Sequence, residues 1–417
     1  MASFGSRAAL LLSAVLPALA APAPAPAALQ HGSVVPGTYI VKVRPELPEA
    51  EFESQVQWVS DVHKRSLGRR DTKGLRKTFS FNGFKAYSGE FDDTTIELIK
   101  ANDTVLIVEP DVVVSPLDEL LTQENAEYNL AIISSQTGFS SREPVNPYTY
   151  DSIAGEGQSV YVVDTGVFVE HEEFEGRAFK GYNARPELPF TDVFGHGTHC
   201  AGTIGSKTYG VAKKANVFDV KVLDDNGAGT IENMLDGYNW VVNNATEEGK
   251  IGSSLVSMSL GWPTSQIIND AVEAAFQAGL LTVVSAGNDY GDPASKSPAS
   301  APNALTVGAT DYARARAVYS NSGPLVDIWG PGNDVLSLAP EQGATAVKSG
   351  TSMSTPAVAG LVAYLRSLAG AALDTPAAAT ARVKGLALQG VVSDVGQSPN
   401  LFAHNGVGGN ETSVSRR

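Results

Sequence analysis

Residues 159–166 read Ser-Val-Tyr-Val-Val-Asp-Thr-Gly, and the fold turns on how this stretch is read. The unbroken run Val160 to Val163 does not alternate, as a strand with one wet face would, so it predicts a strand covered on both sides. Asp164 ends that strand, and Thr165-Gly166 turns the chain. Similar runs return at Asn216–Val222, Leu255–Leu260, Leu281–Ser285 and Leu305–Val307, with helical patterns between them. Buried strands alternating with helices predict an α/β fold, a doubly wound and mostly parallel sheet. Such sheets gather their chemistry at the carboxyl ends of strands, where Asp164 stands.

Outward from this core, the chain of 417 residues is long enough for two domains. Hydrophobic residues make up 43% and charged residues 18%, a globular balance. The formal net charge of −15 argues against nucleic acid or an anionic membrane as partner, and a monomer is expected. Cys200 is the single cysteine, so no intrachain disulfide can form. Residues 1–20 have the parts of a signal peptide: Arg7, the apolar stretch Ala8–Leu16, and Ala18-Leu19-Ala20. They predict entry to the secretory route and an extracellular protein. No later segment is expected to be long and apolar enough to span a bilayer. Residues 21–36 are an Ala/Pro-rich linker, and residues 406–417 a polar tail. Asn102, Asn244 and Asn410 begin N-x-S/T sequons, candidate glycosylation sites in a secreted chain.

Residues 37–117 read as a small separate α+β domain. A strand at Thr38–Val43, helical spacing at Glu51–Leu67, a hairpin about Asn82-Gly83, a helix at Thr94–Lys100 and a strand at Val105–Val114 follow in turn. The order β-α-β-β-α-β predicts a ferredoxin-like arrangement.

Four residues in the larger part carry chemistry. Asp164 ends the first strand, His196 lies between Gly195 and Gly197, Ser352 opens a helix after Gly350-Thr351, and Asn288 follows Gly287. A serine hydroxyl becomes a nucleophile when an imidazole takes its proton, and a buried carboxylate holds that imidazole in one tautomer. A side-chain amide such as Asn288 can donate to the oxyanion that forms. Singly, Asp164 and Ser352 could be mere caps. His196, His199 and Cys200 at i, i+3 and i+4 could also be read as a metal site. His31, His63, His171 and His404 lie outside the motifs and are expected to be solvated.

Together the motifs HGTHCAG (196–202), VAKKANVFDVKVLDDNG (211–227), SMSLG (257–261), SAGN (285–288), SPAS (297–300) and GTSMSTP (350–356) resemble the subtilisin superfamily, and within it the proteinase K branch. The resemblance spans residues 122–405. It implies a serine endopeptidase, with Asp164, His196 and Ser352 as triad and Asn288 in the oxyanion hole. Residues 37–117 resemble that family's inhibitor propeptide. The resemblance therefore implies a zymogen that cuts itself between Ser115 and Glu124, the propeptide acting as intramolecular inhibitor.

By the same resemblance, peptide and protein substrates lie between Ser259-Leu260-Gly261 and Asn226–Gly229, with Gly227 at the second edge. Ser285, Ala286 and Gly287 wall the primary pocket, and Leu223 and Ile231 border those further along. Lys296 takes the place of an aromatic residue at the pocket floor; either it is an exposed loop lysine, or it makes the pocket more tolerant of acidic or polar side chains. Trp262 replaces a glycine beside the channel, and Ser354 and Ala357 are further departures. The family's strong Ca²⁺ site maps to Pro302, Ala304 and Asp327, a structural ion; the chemistry itself needs no cofactor. Two other readings are weighed: an inactive relative that binds or inhibits, and an α/β-hydrolase esterase. The second needs G-x-S-x-G and the order Ser, Asp, His, and the chain has neither.

Overall fold

The structure is a computed structural model that describes residues 34–65, 73–112, 120–142 and 146–408. The signal-peptide segment, His31 and Asn410 lie outside the described residues. In the N-terminal unit, strand Val34–Val43, helix Glu49–Arg65, strands Gly74–Phe81 and Phe84–Glu90, helix Asp93–Lys100 and strand Val105–Val112 follow in that order. The strands form one antiparallel sheet, as the ferredoxin-like arrangement requires. Asn82 and Gly83 have φ of 44° and 82°, the left-handed pair of a two-residue hairpin turn. Val41, Phe52, Val59, Tyr87, Phe91 and Ile99 fill this unit's own core.

The larger unit is built on nine strands: β1 (Ser159–Asp164), β2 (Ala178–Asn183), β3 (Asn216–Lys221), β4 (Ser254–Met258), β5 (Leu281–Ser285), β6 (Leu305–Thr310), β7 (Ile328–Pro331), β8 (Leu388–Gln389) and β9 (Leu401–Phe402). Their order across the sheet is β8-β9-β7-β6-β5-β4-β1-β3-β2. Every neighbouring pair is parallel except β8 with β9. The sequence pattern predicts five of these strands. It does not reveal the two-residue strands β8 and β9, nor β2 and β7, whose mixed sequences Ala-Phe-Lys-Gly-Tyr-Asn and Ile-Trp-Gly-Pro carry no apolar run.

Helices α1 (His196–Gly205) and α4 (Thr351–Ala369) cover one face, and α2 (Ile231–Glu247) and α3 (Gln266–Ala278) the other. β1 shows why its run is continuous. Val160 and Val162 pack with Ile204 and Val358 on one side, while Tyr161 and Val163 pack with Tyr238 and Val272 on the other. One expectation is corrected here. The segment Thr351–Leu373 is long and apolar enough to cross a membrane by length and composition, but 72% of its apolar window is buried inside the protein. Its apolarity serves the core. His171 and His404 are also buried rather than solvated. His171 accepts from Glu173 N (3.2 Å), and His404 from Gly406 N (2.9 Å), so each ring replaces water with protein partners.

Candidate active site

The site forms where β1, β4 and β5, neighbours in the sheet, reach their carboxyl ends. Asp164 is the last residue of β1 and fully buried. Its Oδ1 accepts from Thr165 N at 2.7 Å. His196 opens α1, and its Nδ1 lies 2.8 and 2.9 Å from the two Asp164 oxygens. Gly197 permits this approach: a Cβ there would stand 2.1 Å from Gly166 O.

Asp192 belongs to no motif, yet it builds this corner. Buried, it accepts from Thr165 Oγ1, Gly195 N, Thr198 N and Thr198 Oγ1 at 2.7–2.9 Å. It thus caps α1 and ties the helix to the residue after Asp164. Behind it Lys221, also buried, donates to Thr165 O at 2.6 Å.

The electrostatics follow from this enclosure. Burial pushes the His196 imidazole toward its neutral form, the Asp164 carboxylate and the Cys200 sulfur pull the other way, and the balance holds its pKa well above the ordinary value. Cys200 Sγ lies 4.0 Å from His196 Nδ1 and donates to Ser352 O at 3.4 Å, bridging ring and nucleophile backbone. Burial raises its own pKa. His199 turns away: its Nε2 lies 3.1 Å from both Val335 O and Ala346 O. A set of His196, His199 and Cys200 therefore does not form. Asp164, His196 and Cys200 do come together, but the 2.8 Å contact between ring and carboxylate is a hydrogen bond, too short to admit an ion.

Ser352 is the second residue of α4. Its hydroxyl donates to Ser259 O (3.3 Å), and Ser259 Oγ donates back to Ser352 O (2.9 Å). Asn288 Oδ1 accepts from Thr351 N (2.8 Å) and Thr351 Oγ1 (2.9 Å), which leaves the Nδ2 donor facing outward. A Cβ on Gly350 would sit 3.5 Å from that Nδ2 and 3.6 Å from Ser352 N, so both donors border the same space. Ser354 turns its hydroxyl to Thr351 O (2.9 Å), inside the helix.

Two cavities meet here. One of about 180 Å³ is lined by Ser352, Asn288, Leu260, Gly261, Ser285, Gly287, Asp289 and Lys296. The other, about 400 Å³, passes His196 and is lined by Gly227, Ala228, Gly229, Ser259, Leu260, Gly261, Leu223, Phe194 and Trp262. They share Leu260 and Gly261 and make one cleft. Of the expected substrate contacts, Ala286 stays outside it. Ala286 is buried, with its N–H on Val307 O (3.0 Å) and its carbonyl taking Asn321 Nδ2 (2.9 Å). Ile231 is not among the lining residues either. Lys296 does line the cleft, and its Nζ lies 2.6 Å from Asp289 Oδ2. Residues Trp262–Pro263 pair antiparallel with Lys296–Ser297, which fixes both side chains at the cleft edge.

Of the expected calcium donors, the Asp327 carboxylate does not fit an ion as it stands. Asp327 Oδ2 accepts from Thr306 N (2.9 Å), and Oδ1 holds the ammonium of Lys384 at 2.8 Å. Lys384 projects from α5 (Pro376–Leu386). A cation already occupies the one carboxylate that calcium, which prefers six to eight oxygens, would need. Of the sequons, Asn102 donates to Gln55 Oε1 (3.1 Å), and Asn244, partly buried in α2, accepts from Tyr161 OH (2.8 Å).

With this geometry in view, comparison with known proteins is informative. Residues 155–408 match the model of the subtilase family, and residues 38–116 that of peptidase inhibitor I9. The chain is 47% identical over 407 residues to a subtilisin-like proteinase of Magnaporthiopsis poae, covering 96% of this chain and 98% of that one. It is 45% identical over 404 residues to alkaline protease 1 of Aspergillus oryzae, covering 95% and 98%. A solved cold-adapted subtilisin-like serine proteinase superposes with a TM-score of 0.62 at 37% identity, covering 68% of this chain and 99% of that one.

Proposed function

The chain belongs to the subtilase family of serine proteases and carries an I9-type inhibitor propeptide, and from that premise we propose that Asp164, His196 and Ser352 are its triad and Asn288 its oxyanion donor. The observation that carries the assignment is the bidentate grip of Asp164 on His196 Nδ1, with Ser352 and Asn288 on one cavity wall. The grip leaves Nε2 as the ring's free base. Ser352 Oγ attacks the scissile carbonyl carbon while His196 Nε2 takes its proton. The carbonyl oxygen becomes an oxyanion between Asn288 Nδ2 and Ser352 N–H, at the uncapped start of α4. Collapse expels the amine, which leaves with the proton from His196, and water then hydrolyses the acyl-enzyme by the same steps.

The substrate is peptide, with specificity broad along the backbone. Ser259–Gly261 and Asn226–Gly229 offer main-chain groups that pair with any extended chain. The N-terminal segment Arg7 to Ala20 supports secretion. Asn244, partly exposed, is the glycan acceptor in the larger unit, which an endoglycosidase shift in mass would reveal.

The decisive test is expression of the full chain and of Ser352→Ala. The wild type should shed roughly 80–100 residues, one small domain, and digest casein. The variant should stay uncut and inert. A wild type that neither matures nor digests casein would overturn the reading.

A further inference from the structure

Phe179 is 41% exposed on β2, the edge strand of the nine-stranded sheet. It does not stand alone. The register of the last three strands sets Tyr161 of β1, Phe218 of β3 and Phe179 of β2 side by side. Their rings stack in turn, with centroids 5.0 Å apart for Tyr161 and Phe218 and 5.3 Å apart for Phe218 and Phe179. Trp240 of α2 closes the row from the helix side, edge-on to Tyr161 at 6.1 Å and stacked on Tyr182 at 5.7 Å. Exposure grows outward: Tyr161 is buried, Phe218, Trp240 and Tyr182 are half-buried, and Phe179 is open. An open apolar patch on an unpaired strand edge invites association unless something covers it.

Asn244 stands at the inner end of this row. It follows Trp240 by four residues, so both lie on one face of α2. Its Oδ1 accepts from Tyr161 OH at 2.8 Å. That bond takes the carbonyl end of the amide. Nδ2, the atom to which an N-linked glycan is joined, has no partner among the described residues and is not enclosed. Thr246 completes the sequon from the exposed side of the helix, its hydroxyl on Val242 O at 2.7 Å. A sugar ring has a polar rim and a face of axial C–H groups. Those C–H groups carry a slight positive charge and an aromatic face a negative one, so the two faces stack.

On the footing of Asn244 as glycan acceptor, we propose that the first sugars of that glycan are seated on the rings of Trp240, Phe218 and Phe179 and cover the open edge of the sheet. Tyr161 positions the link. Its hydroxyl fixes the amide, its ring carries Phe218, and Phe218 carries Phe179. The sugars exclude water from the exposed ring faces, and their bulk keeps a second chain from pairing with β2. The glycan thereby becomes part of the fold on this side of the molecule.

The test uses the matured product of the full chain, made in a secretory host that attaches N-glycans and blocked with a sulfonyl fluoride. The set is wild type, Thr246→Ala, Phe179→Thr and the double variant, and self-maturation certifies the folding of each. Thr246→Ala destroys the sequon but keeps Asn244 and its bond to Tyr161. Thr246→Ser, which keeps the sequon, controls for the lost threonine side chain. Thr246→Ala should lower the Tm of wild type by roughly 2–4 °C, the effect of losing about one aromatic contact. In the Phe179→Thr background it should cost less than half as much, because the seat is already broken. Equal losses in both backgrounds, or none in either, overturn the seat while Asn244 remains the acceptor. A wild-type peptide spanning Asn244 that carries no glycan mass overturns the acceptor reading, and the seat with it. Wild-type dimers that Phe179→Thr dissolves would give the edge to a second copy and overturn the seat as well.

Discussion

The Lys296 ammonium rests 2.6 Å from a carboxylate oxygen of Asp289, and both residues line the cavity that holds Ser352. The pair puts a positive charge at the primary pocket and partly cancels it. Asp289 is half exposed, so the cancellation is worth at most about 1 kcal/mol. Asp289→Asn should therefore raise cleavage after Glu and Asp about two- to fivefold, and Lys296→Tyr should abolish any tolerance of acidic residues. A peptide library profiled against the three proteins measures this. Identical profiles for wild type and Lys296→Tyr would show that the lysine faces solvent.

His196 must be neutral to take the Ser352 proton. Its pKa is held above the ordinary value by Asp164, so kcat/KM should fall as pH drops through a point above about 6.5. Asp164→Asn removes the anion and leaves burial opposed only by Cys200. Its acid limb should move below that point, and its turnover should fall by about 10⁴. A pH–rate profile of both proteins decides it.

Asn288→Ala removes one of two donors to the oxyanion. Turnover should drop about 10²–10³-fold, a magnitude taken over from the subtilisin class itself, with KM little changed. A loss confined to KM would place Asn288 in ground-state binding.

Lys384 already supplies the cation at Asp327. Chelator should therefore leave the Tm of the matured enzyme, blocked with a sulfonyl fluoride, unchanged. Lys384→Met should lower it by roughly 2–4 °C, for a pair worth about 1 kcal/mol, and added Ca²⁺ should then recover part of the loss. A wild-type Tm that falls with chelator would return calcium to this corner.

His199 and His404 are buried, and burial lowers both to a pKa of about 4. The unfolded chain, with histidines near 6.5, then binds more protons than the folded one. Stability should be full above pH 6.5 and decline toward pH 4. His404→Gln should flatten that decline by up to about 1.4 kcal/mol per pH unit, read from urea midpoints at pH 7 and 5.

How far the sequence can be read is clear from particular residues. Val160–Val163 shows its buried strand because both faces demand apolar groups. Gly197 and Gly287 flank His196 and Asn288 in motifs that need close backbone approach. Asp192 is hidden, since its four hydrogen bonds come from residues 3 to 27 positions away and a lone aspartate signals none of them. Lys384 meets Asp327 across 57 residues, and His171 and His404 are buried by segments distant in the chain.

The two units keep separate interiors: no residue of the cluster around Val41 and Tyr87 belongs to either cluster of the larger sheet. Scission of the connecting chain would therefore empty neither core. The severed piece would keep its shape, and with it its capacity to obstruct. The cut alone would set no clock. Activity would wait on the slower demolition of a folded fragment, so the lag before proteolysis begins would be timed by how stable that small body is.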